Sequence, residues 1–255
     1  MPLQNCDNKT SWRIAATSCV WPDTLAANCR HLAGEVAEVG LYLLEGSACL
    51  AYGPEDLPSE TYGLRYHVHL PLDLAWALGG QAAFEVASSL RDMVAHLTPW
   101  GFVLHPPQDH DALAVFIRAW QEAGYDPRDI LLENTDETSP QEVLDLASGL
   151  GCGICFDLGH MLAAGAPLPE DEAALAAAVR MLHVYSPFSD EALPAGRTHV
   201  HRPLTGLPPA GRELLAWMLG HLRPETIVLE VFAPAHLTDS LAVLHDLTAS
   251  LGDGA

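Results

Sequence analysis

Short apolar runs alternate with longer amphipathic ones along almost the whole chain, and this alternation constrains the fold more than any other feature of the sequence. Eight runs read as strands: RIAATS from Arg13, VGLYLLEG from Val39, YHVHLPL from Tyr66, GFVLHP from Gly101, ILLENT from Ile130, GICFDLGH from Gly153, MLHVYSP from Met181 and TIVLEVF from Thr226. Between them lie helical segments, the clearest being AAFEVASSLRDMVAHL, DALAVFIRAWQEAG, PQEVLDLASGLG, EDEAALAAAVRM and GRELLAWMLGHL. Asp23 precedes the first helix, Pro140 opens another, and Gly124 and Gly151 stand at helix ends. The segment SACLAYGPEDLPSETYGLR carries Pro54, Pro58 and two glycines, so a short or irregular helix is expected there.

Strand and helix repeating eight times predicts an α/β protein, a closed (β/α)8 TIM barrel forming a single domain over residues 1–255. An open doubly wound sheet is the alternative. It lacks support, because no GxGxxG follows the first strand. A chain of 255 residues that is 49% hydrophobic can bury one large core of this kind.

Thirty-three acidic residues against twelve Lys plus Arg leave a net charge of −21, which repels phosphate backbones and weighs against nucleic acid as a partner. The opening MPLQNCDNKTSW has neither a basic nor an apolar signal segment, and no run is long enough to span a membrane; a soluble cytoplasmic protein is expected. Six cysteines without framework spacing suit a reducing compartment. CGIC falls on a strand, so its thiols read as core residues rather than a redox pair.

In such barrels the reactive groups come from the C-terminal ends of the strands. His69 ends the third strand, His105 the fourth, Glu133 the fifth, Asp157 and His160 the sixth, His183 the seventh and Glu230 the eighth; His199 and His201 follow in RTHVHRPL. Any one of these alone reads as a solvated loop residue. As a set, converging carboxylates with hardly any Lys or Arg nearby need a cation to stay ionised. Imidazole and carboxylate donors suit zinc, and also manganese or iron. Nine donors exceed one site, so a divalent cluster of two or three ions is expected, of use in hydrolysing a phosphodiester.

These stretches, namely VHLPLDL, LHPP, LENT, CFDLGHMLAAG, MLHV, HVH and LEV, resemble the xylose-isomerase-like barrels, and within them the endonuclease IV branch. The resemblance implies a trinuclear zinc centre. His69, His105 and Glu133 would hold one ion; Glu133 would bridge to a second on Asp157, His183 and Glu230; His160, His199 and His201 would hold the third. His199 stands where the branch usually has aspartate. Glu133, Asp157 and Glu230 would be the catalytic carboxylates.

Sugar isomerases and epimerases of the same superfamily need mainly Glu133, Asp157, His183 and Glu230, with one metal. The additional histidines therefore favour a metal-dependent phosphodiesterase, with the single-metal isomerase or epimerase as the alternative. Apurinic-site endonuclease activity is disfavoured by the charge. The N-terminal TS, LAANCRHLAGEVAEVGLYLLEGS and YHVHLPLDL resemble the cobamide-remodelling phosphodiesterases of the CbiR type, which implies a small-molecule substrate, the nucleotide-loop phosphodiester of a cobamide.

Around this set, Glu45 in LLEGS, Trp76, Tyr185 and Phe188 in strand-end loops, and Arg202 beside the HxH pair are candidate substrate contacts. Arg202 would meet phosphate. Packing or surface pairing explains each equally well, and surface pairing explains Arg197 better. His67 points to the barrel interior one layer below His69 and reads as a hydrogen-bonded core histidine.

Overall fold

In the computed structural model, which describes residues 12–189 and 200–252, eight parallel strands close into a barrel in sequence order. The strands are β1 (Arg13–Thr17), β2 (Glu38–Tyr42), β3 (Arg65–His69), β4 (Phe102–Leu104), β5 (Ile130–Glu133), β6 (Gly153–Asp157), β7 (Val179–Val184) and β8 (Thr226–Leu229). β1 pairs with β8 to complete the circle. The (β/α)8 architecture expected from the alternation is the one observed.

Local chemistry sets the helix boundaries. Thr24, rather than the expected Asp23, caps the helix Leu25–Leu32 by accepting from Ala27 N; Asp23 instead accepts from Thr24 N. Ser139 and Pro140 open Pro140–Leu150, and Gly151 closes it in the left-handed region at φ 74°. The proline-rich segment after β2 forms only the four-residue helix Gly46–Cys49. Two expectations shift. β6 ends at Asp157, not His160, because the Asp157 carboxylate caps a new helix, Leu158–Ala164. The helix expected through Met181 stops at Ala178, where β-branched Val179 begins β7.

Strand alternation divides the interior into layers. At the N-terminal mouth, Glu38 accepts from Trp100 Nε1 (2.7 Å) and Thr226 Oγ1 (3.0 Å) and pairs with His67 Nδ1 (2.7 Å). Arg65 and Arg180 lie over the Trp100 ring at 4.6 and 4.8 Å and share Glu225. His67 is thus the bonded core residue its position suggested. The middle layer is apolar, built from Ala15, Val103, Leu131, Cys155, Met181 and Val228. Cys152 and Cys155 of CGIC are buried free thiols. A larger apolar shell packs the helices on the barrel, so the polar groups of the top layer sit on a rigid floor.

Candidate metal centre

Two residues further along β5 to β8, the interior turns from apolar to ionisable. Leu131 gives way to Glu133, Cys155 to Asp157, Met181 to His183 and Val228 to Glu230. Asp157 and His183 are direct partners in the β6–β7 register. One ligand atom from each of Glu133, Asp157, His183 and Glu230 lies within 4.8 Å of the others, and all four residues are buried. His69 joins Glu133 and His183 in an overlapping set.

His183 Nδ1 lies 2.7 Å from Glu133 Oε1, 3.5 Å from Glu230 Oε2 and 3.8 Å from Asp157 Oδ2. Yet neither ring nitrogen of His183, nor Glu133 Oε2, Asp157 Oδ2 or Glu230 Oε2, makes an aligned hydrogen bond. Buried polar atoms without partners cost about 1–3 kcal/mol each, more when charged. One such atom from each of the four residues, all within 4.8 Å of one another, fits a divalent cation, which would offset the repulsion of three carboxylates and accept the imidazole lone pair.

The charge states point the same way. Burial would raise Glu133, but His183 and His105 hold its carboxyl well below the usual range. Burial likewise opposes ionisation of Glu230, which His183 and His201 bring down to about 2. Asp157 is pushed well above its ordinary value, first by burial and then by Glu230 and Glu133. Burial would lower His183, yet Glu133 and Glu230 raise it. Three carboxylates at this range resist being ionised together unless a cation lies among them.

The other described donors lie around this set. His105 Nε2 reaches Glu133 Oε2 at 3.0 Å from a partly exposed position, and His69 Nε2 reaches the same oxygen at 3.3 Å. His160, the third residue of its helix, pairs through Nδ1 with Asp136 at 2.9 Å. His201 Nε2 lies 3.5 Å from Glu230 Oε2, and its ring stacks on Tyr185 at 3.9 Å. His199 and Arg197 lie outside the described residues. Among the described residues, His160 and His201 belong to neither donor set.

Tyr185 is buried, with Gly159 beneath its ring, where any Cβ would collide with it. It serves as a packed support for His201 rather than an open stacking platform. Arg202 pairs through its backbone with Ser186, Phe188 is exposed, and Trp76 packs on Phe116 at 5.4 Å. Trp76 also lines a cleft of about 320 Å³ with His105, Asp136 and His160. Glu45 lies beyond β2, exposed on the wall of a second cleft of about 540 Å³.

Two residues that hold the site together escaped the sequence reading. Asn134 clamps the backbone of Asp157, donating Nδ2 to its carbonyl (2.8 Å) and accepting its amide (2.9 Å). Tyr42 packs its ring on His69 at 4.7 Å and lies 6.3 Å from His183. The signal for Tyr42 was available in strand alternation, since Glu38, Gly40 and Tyr42 share the interior face and Tyr42 pairs with His69.

No protein-family model matches the sequence, and no curated protein matches it. Solved structures do. A D-tagatose 3-epimerase-like protein superposes with a TM-score of 0.66 at 16% identity, covering 94% of this chain and 98% of that one. A xylose isomerase domain protein from Planctomyces limnophilus gives 0.60 at 16% identity, with 96% and 99% covered. The IolI protein, in a structure described as having a binding zinc atom, gives 0.62 at 10% identity, with 93% and 98% covered.

These neighbours overturn the expectation of phosphodiester hydrolysis, and with it the cobamide substrate: two of the three are described as a sugar epimerase-like protein and a xylose isomerase domain protein, and none of the three is described as a phosphodiesterase. The physical reason lies in the site, where the carboxylates and imidazole that close on one point are Glu133, Asp157, His183 and Glu230, the set that a single metal needs. What the superpositions establish is architecture: this chain has the fold of the xylose isomerase-like TIM barrels.

Proposed function

We propose that the protein is a sugar isomerase or epimerase that uses one divalent metal and acts on a hydroxy-carbonyl substrate. The observation that carries this reading is the four-donor set Glu133, Asp157, His183 and Glu230, drawn from consecutive strand ends and closed to within 4.8 Å. The likeness to a D-tagatose 3-epimerase-like protein and a xylose isomerase domain protein supports the same chemistry.

A divalent metal held by these four residues supplies Lewis-acid polarisation of the substrate's carbonyl and neighbouring hydroxyl oxygens. The chain's own groups handle the proton. Glu133 and Glu230 are held ionised beside the His183 and His201 imidazoles, so either carboxylate can take the proton from the carbon next to the carbonyl. Return of that proton by the same carboxylate to the neighbouring carbon moves the carbonyl; inversion needs the other carboxylate, protonated from solvent before the turnover, to deliver its own proton to the opposite face of the carbon. His69 Nε2 and His105 Nε2 lie 3.3 and 3.0 Å from Glu133 Oε2. Burial of Glu133, Asp157 and His183 keeps bulk water away from these groups, which strengthens every charge interaction among them.

Incubation of manganese-, cobalt- or zinc-loaded protein with ketohexoses in heavy water, followed by proton NMR, tests this reading. Deuterium should enter at the carbon beside the carbonyl, and Glu133→Gln should slow entry by about 100-fold or more. Absence of exchange from every ketohexose with every metal would defeat it.

A further inference from the structure

One side chain belongs both to the surroundings of the donor set and to an open cleft. His105 Nε2 lies 3.0 Å from Glu133 Oε2, and the same partly exposed imidazole lines the 320 Å³ cleft formed by residues that follow β3, β4, β5 and β6. With Nε2 turned to a carboxylate, Nδ1 is the ring's acceptor for a hydroxyl proton. A substrate whose carbonyl sits at the donor set can therefore extend its remaining carbons past this ring and into the cleft.

The cleft combines two kinds of surface. Leu72, Trp76 and Pro107 are its apolar part, whereas Gln108, Asp136 and Glu137 are polar. Leu72 is 56% exposed, an apolar side chain lining the cleft instead of joining the core. The lining is also held in place. Trp76 starts the single turn Trp76–Leu78, and its indole packs on Phe116 at 5.4 Å. Thr135 Oγ1 accepts the amides of Glu137 and Thr138 at 3.2 Å each, and Gln108 Nε2 donates to the Glu137 carbonyl at 3.4 Å, tying the loops after β4 and β5 together. His160 is fixed by its amide on Asp157 Oδ1 at 2.6 Å and by Nδ1 on Asp136 at 2.9 Å. A preformed cleft that pairs an aromatic ring with hydrogen-bonding groups fits a polyhydroxylated carbon chain, whose C–H edges pack on the indole while its hydroxyls meet the polar groups.

We propose that this cleft binds the hydroxylated tail of a ketose, with Trp76 and Leu72 covering its C–H face and His105 accepting a tail hydroxyl, so that the site prefers ketohexoses to tetruloses. The proposal rests on the isomerase or epimerase reading of the adjacent donor set. Trp76 determines specificity and takes no part in proton transfer.

Calorimetric titration of manganese-, cobalt- or zinc-loaded protein tests it, with D-tagatose, D-fructose, D-sorbose, D-psicose and the tetrulose L-erythrulose as probes. At least one hexose should bind about tenfold or more tightly than erythrulose. Trp76→Ala should cut that margin by about fivefold or more by weakening the hexose alone, with erythrulose affinity and metal content unchanged. Trp76 also packs on Phe116, so Leu72→Ala, at an exposed position that the fold tolerates, supplies a second variant; it should narrow the same margin by about two- to threefold. Erythrulose binding as tightly as every hexose, or a margin indifferent to both substitutions, would overturn the proposal. Deuterium exchange on the same samples separates the two readings. The expected margins without exchange into any sugar defeat the isomerase reading alone, whereas exchange whose preference for hexose survives both substitutions defeats the cleft assignment alone.

Discussion

Asp157 divides its carboxylate between two tasks. Oδ1 accepts the His160 amide at 2.6 Å and starts a helix, while Oδ2 makes no hydrogen bond and faces the other donors. Asp157→Asn keeps the oxygen that caps but loses the charge, so it should stay within about 1 kcal/mol of the parent in urea unfolding while failing to retain metal; Asp157→Ala should lose both, with the cap costing about 0.5–2 kcal/mol. Metal content after dialysis, read beside the unfolding curves, separates the two roles. His160→Ala should leave metal content unchanged, since that ring pairs with Asp136 instead of entering the donor set. At Gly159 the Tyr185 ring occupies the space a Cβ would need, so Gly159→Ala should destabilise by about 1–3 kcal/mol in the same assay.

Among the elements, the base of the barrel carries the pH dependence. Burial holds the His67 imidazole below its usual value, against the pull of Glu38. Burial would raise Glu38, but His67, Trp100 and Thr226 hold it below its own. Both shifts mean that the unfolded chain binds protons the folded barrel resists. Stability from this cluster is therefore complete above about pH 6.5, falls as His67 titrates in the unfolded state, and falls further as pH drops through the depressed carboxylate range of Glu38. Thermal melts of metal-loaded protein should show a midpoint that declines from pH 7 to pH 5, and His67→Gln should flatten that decline while lowering stability throughout. The strand ends were largely legible in the sequence because period-two alternation places each donor two residues above an apolar one, as in Leu131 and Glu133 or Met181 and His183. The boundary of β6 was not, because GICFDLGH reads as one run until the Asp157 carboxylate is seen to cap a helix.

For the whole molecule, metal binding and folding are linked. Metal at a hundredfold its dissociation constant should add about 2.7 kcal/mol, or roughly 5–10 °C in the melting midpoint of a chain this size. Elemental analysis should find one ion per chain. Removal by a chelator should abolish the shift, and Glu133→Gln should show little of it. Two or three ions per chain would restore the cluster implied by the histidine count.

Sequence alone determined the barrel, the apolar floor and the identity of the candidate donors, because strand periodicity and the exclusion of unpaired charge from a core are local and general constraints. It could not decide which donors meet. Nine imidazoles and carboxylates in chain order suggest a large cluster; whether His160 turns toward Asp136 or a metal, and whether His201 stacks on Tyr185, depends on helix caps, register and packing that join residues far apart in the chain. The same holds for Tyr42, whose place beside the donor set follows from its pairing with His69 on the neighbouring strand.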